Sequence, residues 1–287
     1  MTVPDAAWQR VTAADVPFAV WLYPPGLLAD LTGRVVAALA DVLGDRLVGV
    51  SLKGSALTGD FLPHFSDVDF HAFVRGPLPA PLTLAPADAV AVQRRLGAID
   101  PAAYGASQIQ VMFVAAAAYP GAWVPPPPGT ARTVYGSVEE GVATPQRVQD
   151  DAREYWSSVP GRVLGAARSF ADKADGRSAA ATVRLYLGTE VKRALRNLAV
   201  RLGEPPVEQW SRPLMDVYRV DRAAGAPVAG LGRLLAAAGR WPEVREDAEA
   251  VRAAFLAGAE GLSDLASWAT NRLLAHRTSE TEVTRRG

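Results

Sequence analysis

The chain has 287 residues, 49% hydrophobic and 21% charged, so it carries material for a sizeable core and does not have a disordered composition. Its 30 basic residues balance its 30 acidic ones, which argues against a nucleic-acid partner held by a basic excess. There is no cysteine and there are three histidines, His64, His71 and His276. That excludes disulfides, thiolate zinc, iron–sulfur clusters and a cysteine nucleophile, and leaves little for a histidine-rich metal centre.

Apolar stretches are short throughout. Residues 16–23 form one of the longest, far below the roughly 20 needed to span a bilayer. Residues 1–10 carry Asp5 and Trp8 and lack the basic region and apolar core of a secretory signal. The expectation is a cytoplasmic protein with no membrane partner.

Residues 27–43 place Leu28, Leu31, Val35, Ala38, Leu39 and Val42 at helical spacing. A short strand is expected over 47–52, broken by Gly54, and a second over 68–74, closed by Gly76-Pro77. A helix is expected over 86–96 and a third apolar strand over 109–114. Strands interleaved with helices predict a mixed sheet with helices packed on a face. The stretch 123–129, with prolines at 125–128, is expected to be a stiff connection, because proline neither donates to a ladder nor continues a helix.

From 145 onward the pattern is helical, with helices expected over 145–170, 179–202, 207–223, 228–238 and 242–275. In the last of these Val244, Ala248, Val251, Phe255, Ala259 and Leu262 recur every three or four residues, which is core spacing. The charge shifts as well. Residues 1–140 hold 8 basic and 12 acidic side chains, whereas 141–287 hold 22 and 18. The expected fold class is α+β, organised as an α/β domain over 1–140, an all-helical domain over 141–275 and a flexible polar tail over 276–287.

One stretch carries chemistry. The apolar run Val48–Leu52 leads through Lys53 into Gly54-Ser55, Gly59 follows, and the second strand opens as Ser66-Asp67-Val68-Asp69-Phe70. Alternation along a strand points Asp67 and Asp69 the same way. Two neighbouring carboxylates repel unless a cation lies between them, and a hard divalent ion with oxygen ligands meets that demand. Gly54 lets backbone approach a ligand closely, and Ser55 offers a hydroxyl and an amide to phosphate oxygens.

This segment resembles the nucleotidyltransferase superfamily that includes DNA polymerase beta, and within it the two-domain bacterial antibiotic (aminoglycoside-type) nucleotidyltransferases. The resemblance rests on Gly54-Ser55, Gly59 and Ser66-Asp67-Val68-Asp69, with Val134-Tyr135-Gly136 as a further short element. It implies transfer of a nucleoside monophosphate from a nucleoside triphosphate, ATP by default, to a small hydroxylated acceptor such as an aminoglycoside-like antibiotic. Asp67 and Asp69 would be the catalytic metal ligands for Mg²⁺, with Mn²⁺ as an alternative. Gly54 and Ser55 would bind the nucleotide phosphates, and the helical domain would act as a substrate or lid domain. Lys192, in a basic cluster with Arg184, Arg193, Arg196 and Arg201, would add a cation to the nucleotide.

The sequence departs from that family at one point. The family supplies a third carboxylate from a later strand, but 108–114 contains no Asp or Glu. Gln110 is the best-placed substitute there; its amide oxygen can meet a metal, yet it cannot take a proton as a general base. Three positions stay open as third ligand or base: Gln110, His71 on the face of Asp69, and Glu190 in the helical half, where Glu139 and Glu140 are also considered. On the residues alone, Glu190 and its basic neighbours are expected to form a solvated face, and His71 to be hydrogen-bonded at the sheet edge. The alternative reading is a catalytically degenerate relative that binds a nucleotide or a protein partner without turnover.

Overall fold

The computed structural model describes residues 8–80, 82–116, 126–127, 129–138, 143–173 and 175–286, with side chains through 272. The expected stiff connection falls largely outside the described residues, and so do Glu139 and Glu140. The chain divides into two units, one of Met1–Val11 and Val20–Thr144, the other of Thr12–Ala19 and Pro145–Gly287.

In the first unit β1 (Gln9–Val11) and β2 (Val20–Leu22) form a small antiparallel ribbon. Helix α1 (Pro25–Leu43) opens with a proline in its first turn and ends at Gly44, the arrangement that proline's fixed φ and glycine's freedom favour. Its buried stripe is Leu28, Leu31, Val35, Leu39 and Leu43. Then come β3 (Leu47–Lys53), the single turn α2 (Ser55–Thr58), β4 (Val68–Val74), α3 (Pro86–Leu96), β5 (Ile109–Ala115) and β6 (Ala131–Gly136).

The sheet order is β5-β4-β3-β6, so β3 and β4 are the inner strands. β4 pairs with β5 in parallel across the α3 crossover, while β3 pairs antiparallel with both β4 and β6. Alternation then divides the two faces. Val50, Leu52, Val68, Phe70, Ala72 and Val74 are buried in one core with Leu31, Val35 and Leu39 of α1 and Val92 of α3. Each of the valine, leucine and phenylalanine side chains among these contributes about 1.5–3 kcal/mol by leaving water. The opposite face is left for Ser51, Lys53, Asp69, His71 and Gln110.

The edge strand β6 contains the Val134-Tyr135-Gly136 element. Gly136 has φ +67° and pairs with Gly49, and a Cβ there would overlap the Val48 carbonyl. Only glycine fits this crossing of two strands.

The second unit is helical: α4 (Pro145–Ala171), α5 (Gly176–Thr182), a π-helical turn (Val183–Gly188), α6 (Thr189–Arg201), α7 (Glu208–Ser211), α8 (Leu214–Ala223), α9 (Ala229–Ala238), α10 (Trp241–Val244) and α11 (Ala248–Arg286). Phe170 of α4 stacks on Phe255 of α11 with centroids 4.0 Å apart. The Thr12–Ala19 segment packs into this unit. Val16, Phe18 and Ala19 are buried, Phe18 meets Tyr218 edge-on at 5.4 Å, and the Asp15 carboxylate accepts from Arg219 at 2.8 and 2.9 Å.

Three expected helices depart from a regular α-helix, two of them for a local reason. The 207–223 helix breaks at Arg212-Pro213, where proline removes a donor and Arg212 turns extended. The 242–275 helix breaks before Ala248, where the Asp247 side chain caps by accepting from the amides of Glu249 and Ala250. The 179–202 helix widens into the π turn at Val183–Gly188. The backbone of α11 continues as helix over 276–286. Among the described residues no helix is long and apolar enough to cross a membrane.

Candidate functional site

The site is built on the inner strand β4 and what borders it. Asp69 lies near the start of β4, where its neighbours in the ladder are Lys53 of β3 on one side and Gln110 of β5 on the other. One step further along, His71 is flanked by Ser51 and Met112. Asp67 stands just ahead of the strand and accepts a hydrogen bond from Gln108 Nε2 at 3.3 Å. The amide of Val68 donates to the Gln108 carbonyl at 3.1 Å, so the ladder between these chains is closed at this end. The acidic pair therefore lines up with Gln108 and Gln110, at the same period of two on the adjoining strand.

The glycine-serine bend lies against this pair. Gly54 has φ +79°, and a Cβ at that position would come 2.7 Å from Asp69 Oδ2. Glycine is required twice over, by its backbone conformation and by the proximity of a carboxylate oxygen. The Gly54 amide donates to the Thr130 carbonyl at 3.3 Å, and its carbonyl accepts from Leu57 and Thr58 as α2 begins at Ser55. Gly54, Asp67 and Asp69 are half-buried, within reach of a ligand but shielded from bulk water.

His71 is 1% exposed and sits on an inner strand, its ring edge-on to Phe73 at 6.3 Å. The expected sheet-edge location does not hold, because β5 and β6 flank β4 and β3 on the outside. Beside it the buried Ser51 Oγ has no hydrogen-bond partner among the described residues.

The donors available to a cation are the carboxylates of Asp67 and Asp69 and the amide oxygen of Gln110. All are hard oxygen ligands of the kind Mg²⁺ takes alongside substrate phosphates. Among the described residues no group of three or more His, Asp and Glu side chains is disposed to hold a metal. A metal ion at Asp67 and Asp69 would therefore draw its remaining ligands from the Gln110 amide oxygen, from water or from the bound substrate.

Glu190 and Lys192 belong to the helical unit, both on α6. The Glu190 side chain is 13% exposed and paired with Arg162 at 2.8 Å, which corrects the expectation of a solvated residue. Its carbonyl accepts from the Tyr155 hydroxyl at 3.1 Å. Burial first, and then the Glu190 charge, push the Tyr155 phenol well above its usual value. Lys192 is half-buried. The basic cluster is not one solvated face either. Arg193 lies 5.0 Å over the Tyr155 ring and pairs with Asp151 at 3.3 Å. Arg196 is 5% exposed and donates to the carbonyls of Gln209 and Arg212.

Sequence reasoning passed over Lys53 and Gln108. Alternation gives each residue's face within its own strand, but the pairings that set Lys53 opposite Asp69 and Gln108 beside Asp67 join residues far apart in sequence.

No protein-family model matches the chain, and no curated protein matches it.

Proposed function

We propose that the α/β unit is a Mg²⁺-dependent nucleotidyltransferase, moving a nucleoside monophosphate from a triphosphate to a small hydroxylated acceptor. ATP is the first donor to test and an aminoglycoside-like antibiotic the first acceptor. The observation that carries this reading is the packing of the Gly54 bend against the Asp69 carboxylate. Carboxylates bind a polyphosphate only through an intervening cation, and here a phosphate-suited bend and an acidic pair meet.

Asp67 and Asp69 would hold the Mg²⁺ or Mn²⁺ ion. When bound, such an ion offsets charge on the phosphoryl group and orients it for in-line displacement. The chain's own part is to position. Gly54 brings the backbone of the bend against the Asp69 carboxylate, and Ser55 offers its hydroxyl and amide to a phosphate. Gln108 holds Asp67 through its amide.

The direct test is pyrophosphate release from ATP with a panel of aminoglycoside-like acceptors. Release by the wild type, and its loss in Asp67→Asn and Asp69→Asn, supports the reading. Equal release by those variants contradicts it.

A second reading has its own observation. The ladder partner of Asp69 on β5 is Gln110, an amide that cannot accept the acceptor's proton. A protein that binds the metal–nucleotide without turnover fits that residue. Nucleotide binding with no pyrophosphate release across the acceptor panel would favour it.

A further inference from the structure

Resting on the metal–nucleotide reading above, we propose that Lys53 is a phosphate-binding cation built into the sheet, so that the site takes one divalent ion with its nucleotide. Lys53 is the β3 residue directly across from Asp69. Side chains opposed in an antiparallel pair have Cβ atoms about 4.5–5.5 Å apart and share a face. Its ammonium is therefore tethered within reach of the space above the Asp69 carboxylate. Lys53 also immediately precedes Gly54, whose bend faces the same carboxylate, and it is half-buried. A phosphate seated on that bend is bordered by the lysine on one side and by the acidic pair on the other.

The ligand set points the same way. A second divalent ion needs further carboxylates, but the position flanking Asp69 on β5 is the neutral Gln110. Among the described residues no group of three or more His, Asp and Glu side chains is disposed to hold a metal. Asp67, Asp69 and Lys53 together carry one net negative charge, which a single divalent ion reverses, leaving a positive site for a triphosphate. A lysine ammonium is a compact point charge and a common phosphate ligand. Lys53 supplies the charge that a second ion would otherwise bring, without needing ligands of its own.

The test uses the full chain, a non-hydrolysable ATP analogue and Mn²⁺ counted by electron paramagnetic resonance. One bound Mn²⁺ per chain is expected in the complex. Lys53→Met should weaken analogue binding on the order of tenfold or more, with melting behaviour unchanged, while Lys53→Arg should recover part of the affinity. Two Mn²⁺ per chain, or analogue binding by Lys53→Met as tight as wild type, overturns the inference and leaves the nucleotide reading standing. No Mn²⁺-dependent analogue binding by the wild type overturns both.

Discussion

The Gly54 backbone and the Asp69 carboxylate are packed so closely that a methyl group on the glycine would lie 2.7 Å from Asp69 Oδ2. Gly54→Ala therefore meets two penalties, a left-handed φ of +79° and a collision with an acid on an inner strand. The expected cost is about 1–3 kcal/mol of stability. Nucleotide binding should fall further than stability does, because relief of the contact displaces Asp69. Chemical denaturation compared with calorimetric binding separates the two effects; a variant that binds as well as wild type would remove the bend from the site.

Gln110→Glu places a third carboxylate in register with Asp69. Added ligand charge strengthens binding of hard divalent ions, so Mn²⁺ affinity should rise roughly tenfold. If the rest of the site is competent, pyrophosphate release should rise with it, since a carboxylate can accept the acceptor's proton. Unchanged metal affinity would mean that position 110 does not face the ion.

Asp221 offers a pH test independent of the candidate site. It is fully buried on α8, with neither carboxylate oxygen hydrogen-bonded among the described residues. Burial, and then the Glu204 charge, push it up to about 9, whereas an unfolded aspartate titrates near 3.9. Between those values the unfolded chain is ionised and the folded one keeps the proton, so stability falls as pH rises through that window. Asp221→Asn should be more stable than wild type near neutral pH by roughly 1–4 kcal/mol, and the gap should close towards about pH 4. A gap that stays constant across thermal melts in that range would exclude Asp221 as its source.

Phe18 anchors the Thr12–Ala19 segment within the helical unit, 4% exposed and edge-on to Tyr218. Phe18→Ala should cost about 3–5 kcal/mol. Asp15→Asn removes a half-exposed carboxylate from Arg219 and should leave global stability nearly unchanged. Hydrogen exchange over 12–19 should quicken in both variants, and unaltered exchange would show that neither contact holds the segment.

Much of the α/β unit was legible because its signals are local. Val68–Val74 is an apolar run closed by Gly76-Pro77, and Pro86 sits where a helix tolerates proline. Asp67, Asp69 and the Gly54 bend could be read together because alternation and glycine's role depend only on neighbouring residues. The strand β6 was harder. Ala131–Gly136 is a half-exposed edge strand with Arg132 and Thr133, so it has no apolar run, and only its Tyr-Gly end drew notice. The ladder register that sets Lys53 against Asp69 depends on residues far apart in sequence. So does the burial of Glu190 and Arg196, whose charges suggested solvent although Arg162 and two backbone carbonyls enclose them.

Calorimetry of ATP binding with and without Mg²⁺, on the wild type, Asp67→Asn and Asp69→Asn, tests the acidic pair most directly. The expected result is metal-dependent binding by the wild type that falls at least tenfold in each variant. Binding that is indifferent to Mg²⁺, or equal in all three proteins, would contradict a metal–nucleotide site at Asp67 and Asp69.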